Sequence, residues 1–353
     1  MLFLRMTARQ QLAVCLAAVT LAATAAGCGD GGGGDGPRVV DKVTYLTGFG
    51  AFGREGFAWV AREKGYFRAQ GLDVDVQPGA AGEKNLQLLA SGRAQFALVD
   101  YAGVVVRAGH GRFDQFRLVG AVNDRTLISL MTLDGTGITR PADLAGKRIG
   151  QAAGAVPKTL FPTYARLAGI DPETVSWVET SPQGLPALLA SGRVDAVGQF
   201  VVGQPAIAAA AGGRRVVVFP YGDYLTDLYG NVVVTTAELV ERDPDLVRRF
   251  VTALMQGLRY AVDHPDEAGQ ILHAAHPATD ADTAAAELAL MRAYVPSDRP
   301  SLPLGAFDRI RVARSVAAMQ AAGLITGFVQ PESFVDFTVM TPAATAAAAG
   351  VAR

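Results

Sequence analysis

Residues 41–77, DKVTYLTGFGAFGREGFAWVAREKGYFRAQGLDVDVQ, leave the fold little choice. Their two ends, 43–46 and 72–76, are short runs rich in β-branched residues with strand character, and 56–70 repeats apolar residues at helical spacing. Phe57, Val60 and Ala61 share one helical face, and Gly71 stands where a helix ends in a left-handed residue before the chain returns as a parallel strand. The stretch therefore reads as strand, loop, helix, strand, the unit of an α/β fold. In open α/β sheets ligands sit beyond the carboxyl ends of the strands, so the first loop, 47–55, is expected to line a site. Its three glycines let the backbone approach a ligand, while Phe49, Phe52, Arg54 and Glu55 supply flat apolar faces and charge. Each phenylalanine has two readings, a ligand contact or a plug of the core beneath the turn.

The hexapeptide LLASGR occurs at 88–93 and again at 188–193, each time before a strand-like run, AQFALVD and then VDAVGQF. Glycine ends a helix and arginine opens the next strand, so one step of the fold is used twice. If each copy belongs to its own lobe, Asp100 and Tyr101 occupy in one lobe the place of Gln199 and Phe200 in the other, and both pairs face a shared cleft. Asp100 also suits the N-cap of the following helix. A further strand, 147–151, ends at Gln151 and leads through Gly154 into a helix, a place where free amides meet a polar group. Tyr229 and Asn231 open the strand 231–235 that returns to the first lobe. These elements place lobe 1 at 39–132 and 229–342 and lobe 2 at 133–228, with hinge crossings near 133–137 and 223–231.

Residues 1–27 contain Arg5 and Arg9, no acidic residue and an apolar run too short for a membrane span, the pattern of an export signal. The junction Ala25-Ala26-Gly27-Cys28 resembles a bacterial lipobox, which would make Cys28 the lipidated first residue, and the glycine-rich stretch 28–38 suits a flexible tether. Cys15 lies inside the signal, so no disulfide forms within the mature chain. Without the signal, 30 basic and 33 acidic side chains remain, a net charge of −3 with no basic block and no electrostatic footprint for nucleic acid. Half the residues are hydrophobic, as sheets buried on both faces require. The alanine-rich end, 343–353, is expected to be a flexible tail.

The order of these features, with REKGYFRAQGLDV at 62–74, LAGKRIG at 144–150, YGNVVVTT at 229–236 and YAVDHPDEA at 260–268, resembles the solute-binding proteins of ABC importers in the nitrate, sulfonate and taurine group, including their thiamine-pyrimidine branch. The resemblance covers about residues 40–275 and rests on the order and spacing of all the motifs. It implies a type II periplasmic-binding-protein fold, two α/β lobes joined by two crossings that close on a ligand, acting as a monomer with an ABC permease and its ATPase. Members bind alkanesulfonates, nitrate, bicarbonate, riboflavin or aminopyrimidine precursors of thiamine. Aromatic groups (Phe49, Phe52, Tyr101, Phe200, Tyr229) with directional polar ones (Glu55, Asp100, Gln199, Asn231) favour a planar heterocycle. A small anion, served by Arg54 and Arg125, is the alternative.

Pyrimidine synthases of the same superfamily are the enzymatic rival, described with a cysteine-rich motif, a histidine and a pyridoxal phosphate lysine. Here the one mature cysteine is assigned to the lipid. His110, His264, His273 and His276 fall at helix ends or turns, and no lysine shows a Schiff-base context. The expectation is a binding protein with no cofactor, no metal and no catalytic residue.

Overall fold

The computed structural model describes residues 40–296, 302–327 and 329–340. The expected signal, the tether with Cys28 and the tail 343–353 lie outside the described residues. Within them, β1 (Asp41–Leu46), α1 (Phe57–Glu63), α2 (Tyr66–Ala69) and β2 (Leu72–Gln77) form the unit expected from the opening stretch. β2 alternates buried and exposed residues along its length, as a half-covered edge strand does. The chain continues through α3 (Gly82–Ala90), β3 (Phe96–Asp100), α4 (Tyr101–Gly109), β4 (Phe116–Ala121) and β5 (Ile128–Leu133). Next come β6 (Arg148–Ala152), α5 (Pro157–Leu167), β7 (Ser176–Thr180), α6 (Leu185–Ala190), β8 (Ala196–Phe200), α7 (Gln204–Ala210), β9 (Val216–Pro220) and β10 (Asn231–Thr236). Helices α8 (Ala237–Arg242), α9 (Pro244–Asp263), α10 (Pro265–Ala275), α11 (Ala281–Met291) and α12 (Arg309–Ala321) are the remaining α-helices among the described residues.

Two five-stranded sheets result, ordered β2-β1-β3-β10-β4 and β7-β6-β8-β5-β9. In each, three parallel strands are followed by one antiparallel strand, β10 in the first and β5 in the second. The two orders are equivalent position by position. α3 to β3 and α6 to β8, the two LLASGR steps, occupy the same place in each sheet, so the repeat is one topological step used once per lobe.

β5 corrects the expected boundary. It pairs with β8 and β9 and belongs to the second sheet, so the first crossing is 122–127 and not 133–137, and lobe 2 begins before residue 133. All six residues of β5 are buried, and a mostly apolar run covered on both faces fits the middle of either sheet. The break that marks the crossing is Asn123-Asp124-Arg125. The return crossing runs through 221–230, and the two lie side by side: Gly230 N donates to Asn123 O at 3.2 Å, and Asn231 N to Asn123 Oδ1 at 3.1 Å. A Cβ on Gly230 would stand 2.7 Å from the Arg125 carbonyl, so glycine is what lets the strands cross this closely.

The first core is built on α9, started by Asp243, whose side chain accepts from Leu246 N at 2.9 Å, with Pro244 at the first helical position. Its face of Phe250, Leu254, Gly257 and Leu258 is buried, and the Phe250 ring stacks on Phe96 at 3.9 Å. On either side of α12 the described chain is not wholly helical. Leu118 N donates to Phe334 O at 2.8 Å and Ala121 N to Gly305 O at 2.8 Å, so late segments cover the open edge of β4.

Candidate functional site

Loop 47–55 is pinned from beneath by two buried polar side chains. Asn85, from α3, donates to Thr47 O at 2.8 Å and Leu98 O at 3.1 Å, and its Oδ1 accepts from Ala80 N at 3.1 Å. Thr47 Oγ1 donates to Gly50 O at 2.5 Å and accepts from Gly79 N at 2.9 Å. The next turn, Gly53–Glu55, is pressed against α11 so closely that a Cβ on Gly53 would lie 2.4 Å from the Ala284 carbonyl. There Glu287 of α11 accepts from Arg54 N at 3.2 Å and from Arg54 Nη1 at 3.5 Å. The Arg54 guanidinium lies over the Phe52 ring at 4.3 Å and faces that of Phe200 at 5.5 Å.

At the carboxyl end of β3, Asp100 caps α4 through Oδ1, which accepts from Gly103 N at 3.2 Å, while Oδ2 has no partner. Asn231 sits opposite Asp100 in the β3–β10 ladder. From the second lobe, Gln199 and Phe200 end β8, and Gln199 Oε1 accepts from Phe200 N at 2.9 Å. The lobes approach closely. A Cβ on Gly103 would stand 3.1 Å from Val156 Cγ2, and Phe49 packs on the core of the second lobe. Between them lies a cavity of about 320 Å³, within the range of small-molecule sites.

Burial sets the electrostatics. It lifts the Asp100 carboxyl to about 7, opposed in part by hydrogen bonds from Gly103 and Ala102. Burial also raises Glu55 and Glu287, with the Arg54 charge pulling both back. Glu55 Oε2 accepts from Gly48 N at 3.1 Å, while its Oε1 and the nearby Tyr45 hydroxyl have no partner. One cation of the cavity wall, Arg54, thus stands between two buried carboxyls behind it, while a third carboxyl, that of the wall residue Asp100, titrates near neutral pH.

Of the residues singled out in the sequence, Phe49, Arg54, Asp100, Gly154, Gln199, Phe200 and Asn231 line this cavity. Six others stand outside it, each held by another partner. The half-buried Phe52 ring carries the Arg54 guanidinium, and Glu55 turns back to the Gly48 amide. Tyr101 opens α4 and points into the core, where its hydroxyl meets Ser315 Oγ at 2.6 Å. Gln151 Oε1 accepts from Lys158 N at 3.1 Å at the start of α5. The Tyr229 hydroxyl accepts from Asp308 N at 2.9 Å, with Arg311 over its ring at 4.2 Å. Arg125 donates to Ala293 O at 2.6 Å and lines a smaller pocket at the crossings. Glu287 escaped notice in the sequence. It is the one charged residue between Asp282 and Arg292 in an alanine-rich helix, and an isolated charge on an apolar helix signals a buried partner. The four histidines stand outside the cavity wall, at or near the ends of α4, α9 and α10.

The sequence profile described as "NMT1/THI5 like" matches residues 56–268, more than half of the chain. The chain belongs to the NMT1/THI5-like family. This NMT1/THI5-like chain is 30% identical over 217 residues to the formylaminopyrimidine-binding protein of Halalkalibacterium halodurans, across 61% of this chain. The match spans 65% of that protein, just under two thirds of its length. It is 24% identical over 222 residues to the 4-amino-5-hydroxymethyl-2-methylpyrimidine phosphate synthase of Legionella pneumophila, across 62% of this chain and 68% of that one. Among solved structures it is similar to the periplasmic aliphatic sulphonate binding protein of Escherichia coli, with a TM-score of 0.63 at 16% identity over 83% and 91% of the two chains. That likeness shows the fold, a two-lobed α/β periplasmic-binding-protein architecture.

Proposed function

We propose that this protein is an extracytoplasmic solute-binding protein that captures a small planar nitrogen heterocycle, of the kind represented by thiamine pyrimidine precursors, and delivers it to an ABC permease and its ATPase. The observation that carries the reading is the cavity between the lobes. Its wall joins aliphatic residues and the rings of Phe49 and Phe200 to Arg54, Asp100, Gln199 and Asn231 beyond the strand ends, with Glu83, Arg107, Arg112 and Thr159 also in the lining, and apolar faces with a few directional polar groups suit a flat heterocycle. The relative named for formylaminopyrimidine binding supports the same ligand class. In this reading the protein acts as a monomer, without cofactor, held at the membrane by a lipid on Cys28 and the tether 28–38. The lobes rotate about the crossings 122–127 and 221–230 as ligand enters and leaves.

Relatives named as pyrimidine phosphate synthases make catalysis the rival. Binding is favoured because the histidines stand outside the cavity wall, and the Lys158 side chain, at the start of α5, pairs with Glu179 at 3.7 Å on the surface. Purified protein should show saturable calorimetric binding of 4-amino-5-aminomethyl-2-methylpyrimidine and return it unchanged. Conversion of the compound, or absence of binding by any pyrimidine, would overturn the reading. Mass spectrometry of membrane-extracted protein should find a diacylglyceryl group on Cys28, and an unmodified Cys28 from a host with the lipidation enzymes would remove the anchor.

A further inference from the structure

The two cationic side chains of the cavity wall that are not exposed, Arg54 and Arg107, each have a counter-charge. Arg54 is met by Glu287 and faces the field of Glu55. Arg107 pairs with Glu83, and Arg112 is exposed at the rim. Asp100 has no cation. One of its oxygens caps α4 and the other is buried without a partner, although the residue belongs to the cavity wall and is only half-buried. A buried acceptor left unpaired is costly, and a ligand that supplies its donor recovers that cost on binding. An anion in the same place would meet a carboxyl group and find every buried arginine already compensated.

Resting on the reading of this cavity as a small-molecule site, we propose that the Asp100 carboxyl accepts a hydrogen bond from an N–H of the ligand, an amino, ammonium or protonated ring nitrogen, and thereby selects a nitrogen base over a small anion. Arg54 completes the pattern. It lines the same cavity and its Nε–H has no acceptor, so an unpartnered donor accompanies the unpartnered acceptor, as a ring bearing both an amino group and a lone-pair nitrogen requires. The near-neutral titration of Asp100 fits this role, since the group can stay uncharged in the empty cavity and ionise against a basic ligand.

The test compares the mature chain with Asp100→Asn by calorimetry, using 4-amino-2,5-dimethylpyrimidine, 2,4,5-trimethylpyrimidine and ethanesulfonate. The two pyrimidines differ by a methyl in place of the amino group. Asparagine keeps the shape and the cap on Gly103, and Asp100→Ser, also a capping residue, serves as a second variant. The wild type should prefer the amino compound by about 10- to 100-fold, as a hydrogen bond to a charged group predicts. Both variants should lose most of that preference, and ethanesulfonate should not bind the wild type. A preference unchanged in the variants would overturn the role of Asp100 and leave the heterocycle reading intact. Wild-type binding of ethanesulfonate in place of the pyrimidines would overturn this proposal and keep a solute-binding site. Absence of binding by both pyrimidines would overturn the heterocycle reading and this proposal together.

Discussion

Arg54→Met and Glu287→Leu, made singly and together, should separate three charges that the fold has buried side by side. Both side chains are 2% exposed and meet at 3.5 Å, where an effective dielectric of about 20 gives roughly 5 kcal/mol of gross attraction. Desolvation of the two ions cancels much of this, whereas removing one partner leaves an uncompensated charge at a cost of about 3 to 5 kcal/mol. The two single variants should differ, because Arg54 also lies in the field of Glu55. Without Glu287 the cation keeps one carboxylate, and the main loss is the acceptor of the Arg54 amide, about 1 to 3 kcal/mol. Without Arg54, two buried carboxyls face each other with no cation and escape by taking up protons. Their folded-state pKa values, already raised by burial, rise further, so the stability of Arg54→Met should fall as pH rises from 5 to 8. Urea denaturation at both pH values should give about 3 to 5 kcal/mol of destabilisation for Arg54→Met at pH 8 and less at pH 5. Glu287→Leu should show a smaller, nearly pH-independent loss, and the double variant should fall short of the sum by about 2 kcal/mol. Additive losses without pH dependence would show that the three groups do not form one cluster.

Three further outcomes follow from the same geometry. The empty wild type should lose stability relative to Asp100→Asn between pH 4 and 8, because the folded carboxyl at about 7 binds a proton that the unfolded one has released; at about 1.4 kcal/mol per pKa unit the difference reaches up to roughly 4 kcal/mol, and parallel urea-midpoint profiles would contradict it. Phe49→Ala should weaken pyrimidine binding in calorimetry at least tenfold by opening a cavity wall that also packs on the second lobe, while Phe52→Ala should act on the melting temperature through the Arg54 guanidinium resting on its ring; equal affinity losses would return both rings to the ligand. Gly257→Ala should cost about 1 to 3 kcal/mol in chemical denaturation, since its Cβ would stand 2.5 Å from the Phe57 carbonyl and 2.6 Å from Ala61 Cβ, and an unchanged midpoint would mean that α1 and α9 separate freely.

What was legible in the sequence follows from what local spacing encodes. The LLASGR repeat gave away an equivalence between the lobes because a helix end and a strand start are written in adjacent residues, and the ends of β3 and β8 could be placed from it. Knowing that strand ends converge on a ligand then brought Asp100, Gln199, Phe200 and Asn231 to one cavity. Direction was harder. Asp100 and Tyr101 are neighbours at one strand end, yet Asp100 belongs to the cavity wall while Tyr101, the first residue of α4, is wholly buried against Ser315. Spacing names the turn and leaves the side of it open. The same limit explains β5, whose six buried residues fit the middle of either sheet, so that only its pairing with β8 and β9 assigns it to a lobe. Glu287 lay furthest out of reach, 233 residues from the arginine it holds. A carboxylate set among apolar residues past the first turn of a helix announces that a partner exists, and only the packing of α11 on the turn at Gly53 names it. The distinction matters for the site itself, because Arg54 read from its loop alone is a free cation suited to an anion. Tied to Glu287 and flanked by Glu55 it is already neutralised, and the balance of the cavity shifts to the unpaired carboxyl of Asp100.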